Sequence, residues 1–162
     1  MSRQNDASEP VVAEIMRKDV PAVAPEESVA RVAKLMVDYD VAGVAVIDND
    51  EIIGIITESD IVAREADVDA PTPVPFLDAI FVADAGRPYE DDIRRALAIN
   101  AAMLMSSPVV SIRHDATLHE VASIMIERDV HPLPVVDQDN RYVGIVSRKD
   151  LVRVIAELEN RA

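Results

Sequence analysis

Two short stretches hold most of the side chains able to do chemistry. Gly54-Ile55-Ile56-Thr57-Glu58-Ser59-Asp60 and Gly144-Ile145-Val146-Ser147-Arg148-Lys149-Asp150 each place a hydroxyl three residues before a carboxylate, directly after an apolar run. A hydroxyl at a strand end beside a helix N-terminus can donate to a phosphate that the exposed N–H groups already favour. A carboxylate can accept a pair of charge-assisted hydrogen bonds from two adjacent hydroxyls. The same spacing also has a local reading, in which Thr57 and Ser147 cap a helix while Asp60 and Asp150 favour its first-turn dipole. Ser59 adds a second hydroxyl to the first stretch, and Lys149 a cation to the second.

One further cluster, His114, Asp115, His119 and Glu120, has the look of a metal or acid–base site. Asp115 and Thr117 fit the loop and cap before a helix, Glu120 completes a capping box, and the two histidines lack a third partner, so no metal is expected. Cysteine is absent, which excludes disulfides, thiolate zinc sites, iron–sulfur clusters and a cysteine nucleophile. There is no Gly-x-Ser-x-Gly elbow and no P-loop, and four glycines cannot build a dinucleotide fingerprint. Catalysis by this chain alone is therefore not expected.

The elements that must position these residues come from a chain of 162 residues, 49% hydrophobic and 28% charged, a globular composition. No apolar run approaches the roughly 20 residues of a membrane-spanning helix, and the opening MSRQNDASEP is polar, so a cytoplasmic location is expected. A net charge of −14 repels phosphate backbones, and three Tyr, two Phe and no Trp leave few stacking platforms, so nucleic acid is an unexpected partner. A local cluster of donors can still attract a small anion, since salt screens a distant net charge within about 10 Å.

The chain repeats itself. Met16, Val20, Val32, Ala33, Met36, Asp40, Val41, Val46, Asp48 and Asp50 match Met105, Val109, Val121, Ala122, Met125, Asp129, Val130, Val135, Asp137 and Asp139 at one constant offset. After a one-residue insertion in a turn, Gly54, Ile55 and Asp60 match Gly144, Ile145 and Asp150. Each copy predicts an extended piece (residues 22–24 or 110–112) and then a helix capped by Ser28 or Thr117. A hairpin follows (44–47 with 52–56, or 133–136 with 142–146), and then a second helix to about residue 66 or 160. Val29, Val32, Ala33 and Met36, like Leu118, Val121, Ala122 and Met125, fall at i, i+3, i+4 and i+7, so one helix face is core. A copy of this size has a marginal core alone, and the two are expected to pack together. Between them residues 67–100 depart from the repeat. A helix is expected there over 89–99, and Phe76, Leu77, Ile80, Phe81 and Val82 are expected to pack on the module or a partner.

A β–α–β–β–α unit in tandem, with Gly-apolar-apolar-[Thr/Ser]-x-x-Asp closing each hairpin, resembles the cystathionine β-synthase (CBS) domain. The resemblance covers residues 11–66 and 101–158, with 67–100 as an inserted connector. Met16 and Met105, at the ends of the lead-in segments, and the phrases Asp40–Asp48 and Asp129–Asp137 add to it. It implies an α/β (α+β) fold of two units packed by pseudo-twofold symmetry, with two clefts for adenosine-containing ligands. The implied ribose acceptors are Asp60 and Asp150, with Thr57 and Ser147 near a phosphate. The implied adenine slot facing Asp60 is lined by Met105, Val110, Val130 and His131, and that facing Asp150 by Met16, Pro21, Val41 and Ala42. Capping remains open for the motif residues, and core packing for the two methionines.

Thr57, Ser59 and His131 make the Asp60 cleft the better furnished, because the His131 position often faces ligand phosphates in such proteins. At Pro132 some nucleotide-binding members carry Arg, and its absence weighs against a polyphosphate unless Arg148 and Lys149 compensate. The resemblance thus implies a non-catalytic regulatory sensor for AMP, ADP, ATP or S-adenosylmethionine, with no required cofactor. It also implies a homodimer, since such pairs commonly join into a flat four-unit disc. The alternative is a dimerising protein-interaction scaffold with no nucleotide.

Overall fold

A computed structural model of the chain describes residues 9–66 and 98–161. Along the chain lie α1 (Val12–Ile15), α2 (Val29–Tyr39), β1 (Gly43–Asp48), β2 (Glu51–Thr57), α3 (Glu58–Glu65), α4 (Ala101–Leu104), β3 (Ile112–Arg113), α5 (Leu118–Glu127), β4 (Leu133–Val136), β5 (Tyr142–Val146) and α6 (Arg148–Arg161). The apolar run around Phe76 and most of the helix expected over 89–99 lie outside the described residues. At its described end, Ala98 and Ile99 are not helical.

The capping signals act as read. The Ser28 hydroxyl accepts the Arg31 N–H at 3.2 Å, and Thr117 and Glu120 form the reciprocal capping box that starts α5. The apolar stripes face inward at Val29, Val32, Leu35 and Met36 on α2 and at Val121 and Met125 on α5, while Ala33, Leu118 and Ala122 are half-buried. Both helices run into an aspartate, Asp40 or Asp129, at φ 49°. Aspartate tolerates this left-handed conformation better than most residues.

The hairpins follow the same logic. β1 pairs with β2 antiparallel, Val44 opposite Ile56, across a turn in which Asn49 and Asp50 adopt φ of 48° and 64°. β4 pairs with β5, Leu133 opposite Val146, and β3 adds a parallel edge, Ile112 opposite Val135. In the β4–β5 turn the Asp137 carboxylate accepts the N–H groups of Asp139 and Arg141, both at 2.9 Å. The Arg141 N–H does most to hold that carboxyl below its ordinary range. The first copy is less regular than expected, because its extended piece over 22–24 makes only a bridge, Val23 to Val46. The flanking Pro21 and Pro25 have no N–H to extend a ladder.

The two copies interlock by exchanging their lead-in segments. Arg17 and Ile145 trade both backbone hydrogen bonds, at 2.8 and 3.0 Å, and Ile55 and Ser106 do the same at 3.1 and 2.9 Å. Each lead-in therefore pairs with the other copy's hairpin. Val12 and Ile15 of α1 join the core of Val121, Met125, Leu133, Val135 and Val146. Ala101 and Leu104 of α4 join the core of Val32, Met36, Val44, Val46 and Ile56. Fully burying a side chain such as Ile15 or Leu104 contributes roughly 1.5–3 kcal/mol, and here that gain ties one copy to the other. Tyr142 of β5 adds a polar tie, its hydroxyl donating to the Val20 carbonyl at 2.9 Å.

Two glycines permit this close approach. A Cβ on Gly54 would overlap the Met105 side chain, with Cγ at 2.7 Å and Cβ at 2.8 Å, and one on Gly144 would lie 2.6 Å from the Arg17 carbonyl oxygen and 3.0 Å from Met16 Sδ. Met105 and Met16 thus pack against the hairpin of the opposite copy. The result is a mixed helix-and-strand fold of two like units related by pseudo-twofold symmetry.

Candidate functional site

Because each lead-in crosses to the other hairpin, the residues after β2 face the loop before β4, and those after β5 face the loop before β1. Two clefts result. The first, of about 380 Å³, is lined by Thr57 and Ser59 from one copy and by Val110, Val130 and His131 from the other, together with Ile55 and Pro108. The volume lies in the range typical of small-molecule pockets, about 300–1,000 Å³. Five of the seven residues expected around this cleft meet in its wall. The other two stand behind it: Asp60 is only 6% exposed, and Met105 lies over Gly54 against the first core.

Asp60 is joined to the cleft through Thr57. Its Oδ2 accepts the Thr57 N–H at 2.8 Å and the Thr57 hydroxyl at 3.1 Å, so the carboxylate closes the first turn of α3 and fixes the hydroxyl that faces the cavity. The remaining wall brings in Glu58 and Asp129, which the motif had not singled out. No Lys or Arg belongs to this lining among the described residues. Arg148 reaches Asp129 in an exposed ion pair at 3.2 Å.

The second cleft, about 120 Å³, is lined by Val41, Ala42, Ser147, Lys149 and Asp150, all expected, and by Arg17, Asp40 and Arg153, which were not. Met16 and Pro21 are not in this lining; Met16 instead packs over Gly144. Asp150, 4% exposed, repeats the geometry of Asp60, its Oδ2 accepting the Ser147 N–H at 2.8 Å and hydroxyl at 2.7 Å. Its Oδ1 accepts from Arg153 Nη2 at 2.9 Å. The Arg17 guanidinium donates to both Asp19 carboxylate oxygens and to the Tyr39 and Asp40 carbonyls at the end of α2. The Asp19 hydrogen bond holds that guanidinium protonated more firmly than usual, against the opposing effect of partial burial.

Arg153 had a local signal that sequence reasoning passed over, since it lies three residues after Asp150 on the same helix face. Arg17 had only its place after Met16. Two residues of the cluster at 114–120 have structural roles: Arg113 holds Asp115 through two bonds of 2.9 Å, and Glu120 caps α5. The Asp115 carboxyl is held below its ordinary range, chiefly by Arg113. Among the described residues no three His, Asp or Glu side chains converge so as to hold a metal ion.

The geometry has counterparts in known proteins. The CBS domain family model matches residues 12–67 and 101–157. An uncharacterized protein of Methanopyrus kandleri is 28% identical over 144 residues, covering 88% of this chain and 61% of that one. The inosine-5'-monophosphate dehydrogenase of Methanocaldococcus jannaschii is 28% identical over 141 residues, 86% of this chain and 22% of the enzyme. The chain thus spans less than two thirds of the length of these curated relatives. Among solved structures, the protein CBSX2 in complex with AMP aligns at TM-score 0.71 and 24% identity, covering 92% of this chain and 98% of that chain. A CBS domain pair in complex with 5'-methylthioadenosine and S-adenosyl-L-methionine aligns at TM-score 0.62 and 22% identity, covering 92% of this chain and 98% of its own. At these identities the structural likeness concerns the fold. Among the described residues no helix is long and apolar enough to cross a membrane.

Proposed function

The chain belongs to the CBS domain family, and on that premise we propose that it is a non-catalytic regulatory sensor. It binds an adenosyl compound between its two units and passes a change in packing to a partner in the cytoplasm. The observation that carries this reading is the 380 Å³ cleft, where an apolar slot from one copy faces the Thr57 and Ser59 hydroxyls of the other. An adenine ring fits the slot of Pro108, Val110 and Val130, with Ile55 of the other copy beside it. The ribose hydroxyls then meet Thr57 and, one hydrogen bond behind it, the Asp60 carboxylate. Because the wall comes from both copies, a ligand can favour one arrangement of the copies over another, which regulation requires. Proteins of like fold were solved with AMP, and with 5'-methylthioadenosine and S-adenosylmethionine, which supports the adenosyl class without choosing among AMP, ADP, ATP and S-adenosylmethionine.

A homodimer belongs to this proposal. Large apolar side chains stand exposed at matching positions of the repeat, Val37 at 80% and Ile126 at 75% on α2 and α5, and Val62 and Val152 on α3 and α6. Such paired surface suits a symmetric partner. The same surface supports a second reading, a dimerising scaffold that binds a protein without any nucleotide. Thermal-shift titration with AMP, ADP, ATP and S-adenosylmethionine separates the two. A ligand at about 100 times its dissociation constant adds about 2.7 kcal/mol, an increase in melting temperature of about 5 °C or more. Flat curves with all four compounds favour the scaffold.

A further inference from the structure

The Asp150 cleft is narrowed by its own side chains. Ser147 engages Oδ2 of the buried Asp150 carboxylate through its N–H and hydroxyl, and Arg153 Nη2 engages Oδ1 at 2.9 Å. Ser147 belongs to the turn that starts α6, whereas Arg153 reaches back from the next turn with a side chain 55% exposed. Lys149 Nζ lies 3.1 Å from Asp40 Oδ2, which ties the start of α6 to the end of α2 in the other copy. The remaining 120 Å³ is well below the 300 Å³ or so of an ordinary ligand pocket. Arg17, the third cation of the lining, has its donors engaged by Asp19 and by the Tyr39 and Asp40 carbonyls. Among the described residues, Arg153 is therefore the side chain that holds Oδ1 of Asp150.

Resting on the adenosyl reading above, we infer that Arg153 is a latch on this cleft, an internal competitor that covers the Asp150 carboxylate until ribose hydroxyls displace it. A guanidinium and a pair of hydroxyls draw on the same carboxylate lone pairs, so a ribose gains Oδ1 only as Arg153 leaves. The affinity of the cleft is then its intrinsic affinity reduced by the fraction of molecules in which the latch is off. The exchange is open to Arg153 because its side chain is half in water and returns there on release, while Asp150 stays buried and keeps Ser147. Arg153 acts through Asp150 and is thus a positioning residue, one that sets how readily the second cleft fills.

The test uses the full chain and 5'-methylthioadenosine, an uncharged probe whose binding does not respond to the loss of a cation as such. Calorimetric titrations compare the natural protein, Arg153→Ala, Asp150→Ala and the double variant Asp150→Ala/Arg153→Ala. The Arg153 side chain is exposed enough that its removal leaves the core untouched. Releasing a partly exposed ion pair is worth roughly two- to fivefold, so Arg153→Ala should strengthen binding at the weaker of the two sites by that factor. A gain in affinity is the opposite of what loss of a merely structural residue produces. The gain should disappear when Asp150 is also replaced, because the latch then has nothing to cover. It should also shrink as salt is raised, since salt loosens the pair in the natural protein. Unchanged or weaker binding by Arg153→Ala, or an equal gain with Asp150 already replaced, overturns the latch while the natural protein's binding leaves the adenosyl reading standing. Absence of binding to both the natural protein and Arg153→Ala overturns the adenosyl reading and this inference with it.

Discussion

Asp60 and Asp150 hold their helices before any ligand arrives, each accepting a backbone N–H and a hydroxyl from the residue three positions earlier. Both carboxylates close the first turn of their own helices, and the ligand role proposed for them would be a second use of the same group. The hydroxyl-x-x-Asp pattern was legible because both partners lie within one turn. The charge around it was not, because Arg17 meets the Asp150 cleft only through a strand bridge to Ile145, a contact no local spacing reveals. Tyr142 gives a residue-level prediction. Burial first, and the nearby Asp19 second, push its phenol up to about 12 from an ordinary 10.0. Below pH 10 the phenol is protonated in both folded and unfolded chains, so its contribution to stability is fully present. Between about pH 10 and 12 only the unfolded chain ionises, and roughly 2 kcal/mol of stability is lost. Urea melts across that range should show this loss, and Tyr142→Phe should lack it while costing about 1 kcal/mol at neutral pH through the lost bond to Val20.

Among the elements, the long amphipathic helices and the hairpins were readable from period and turn residues. The helices α1 and α4 were not, because four residues carry no periodicity and their burial depends wholly on the opposite copy. Their exchange makes Gly54 and Gly144 points of close approach between the copies. Gly54→Ala is predicted to cost about 1–3 kcal/mol, as overpacking does. Adding Met105→Ala should recover part of that loss, since the two side chains compete for one space. Gly144→Ala should cost at least as much, because its new methyl meets the Arg17 backbone carbonyl rather than a pliable side chain. Additive losses for Gly54→Ala and Met105→Ala would deny the coupling between lead-in and hairpin.

At the scale of the whole molecule, the internal repeat was the most legible feature, and the interlock explains why two marginal cores make one module. The exposed apolar pairs on α2, α5, α3 and α6 predict self-association, and light scattering at micromolar protein should give twice the mass of one chain. A persistent monomer contradicts the homodimer. The central claim is narrower: a cleft built by both copies binds an adenosyl compound through Asp60. Calorimetric titration of 5'-methylthioadenosine into the natural chain, folded Asp60→Ala and folded Asp150→Ala tests it most directly. Losing a charged acceptor for ribose hydroxyls costs about 1.5–3 kcal/mol, or one to two decades in affinity. Saturable binding to the natural chain, weakened by that amount in Asp60→Ala and much less in Asp150→Ala, is the predicted result. Equal affinity in Asp60→Ala and the natural chain, or no binding to either, would contradict it.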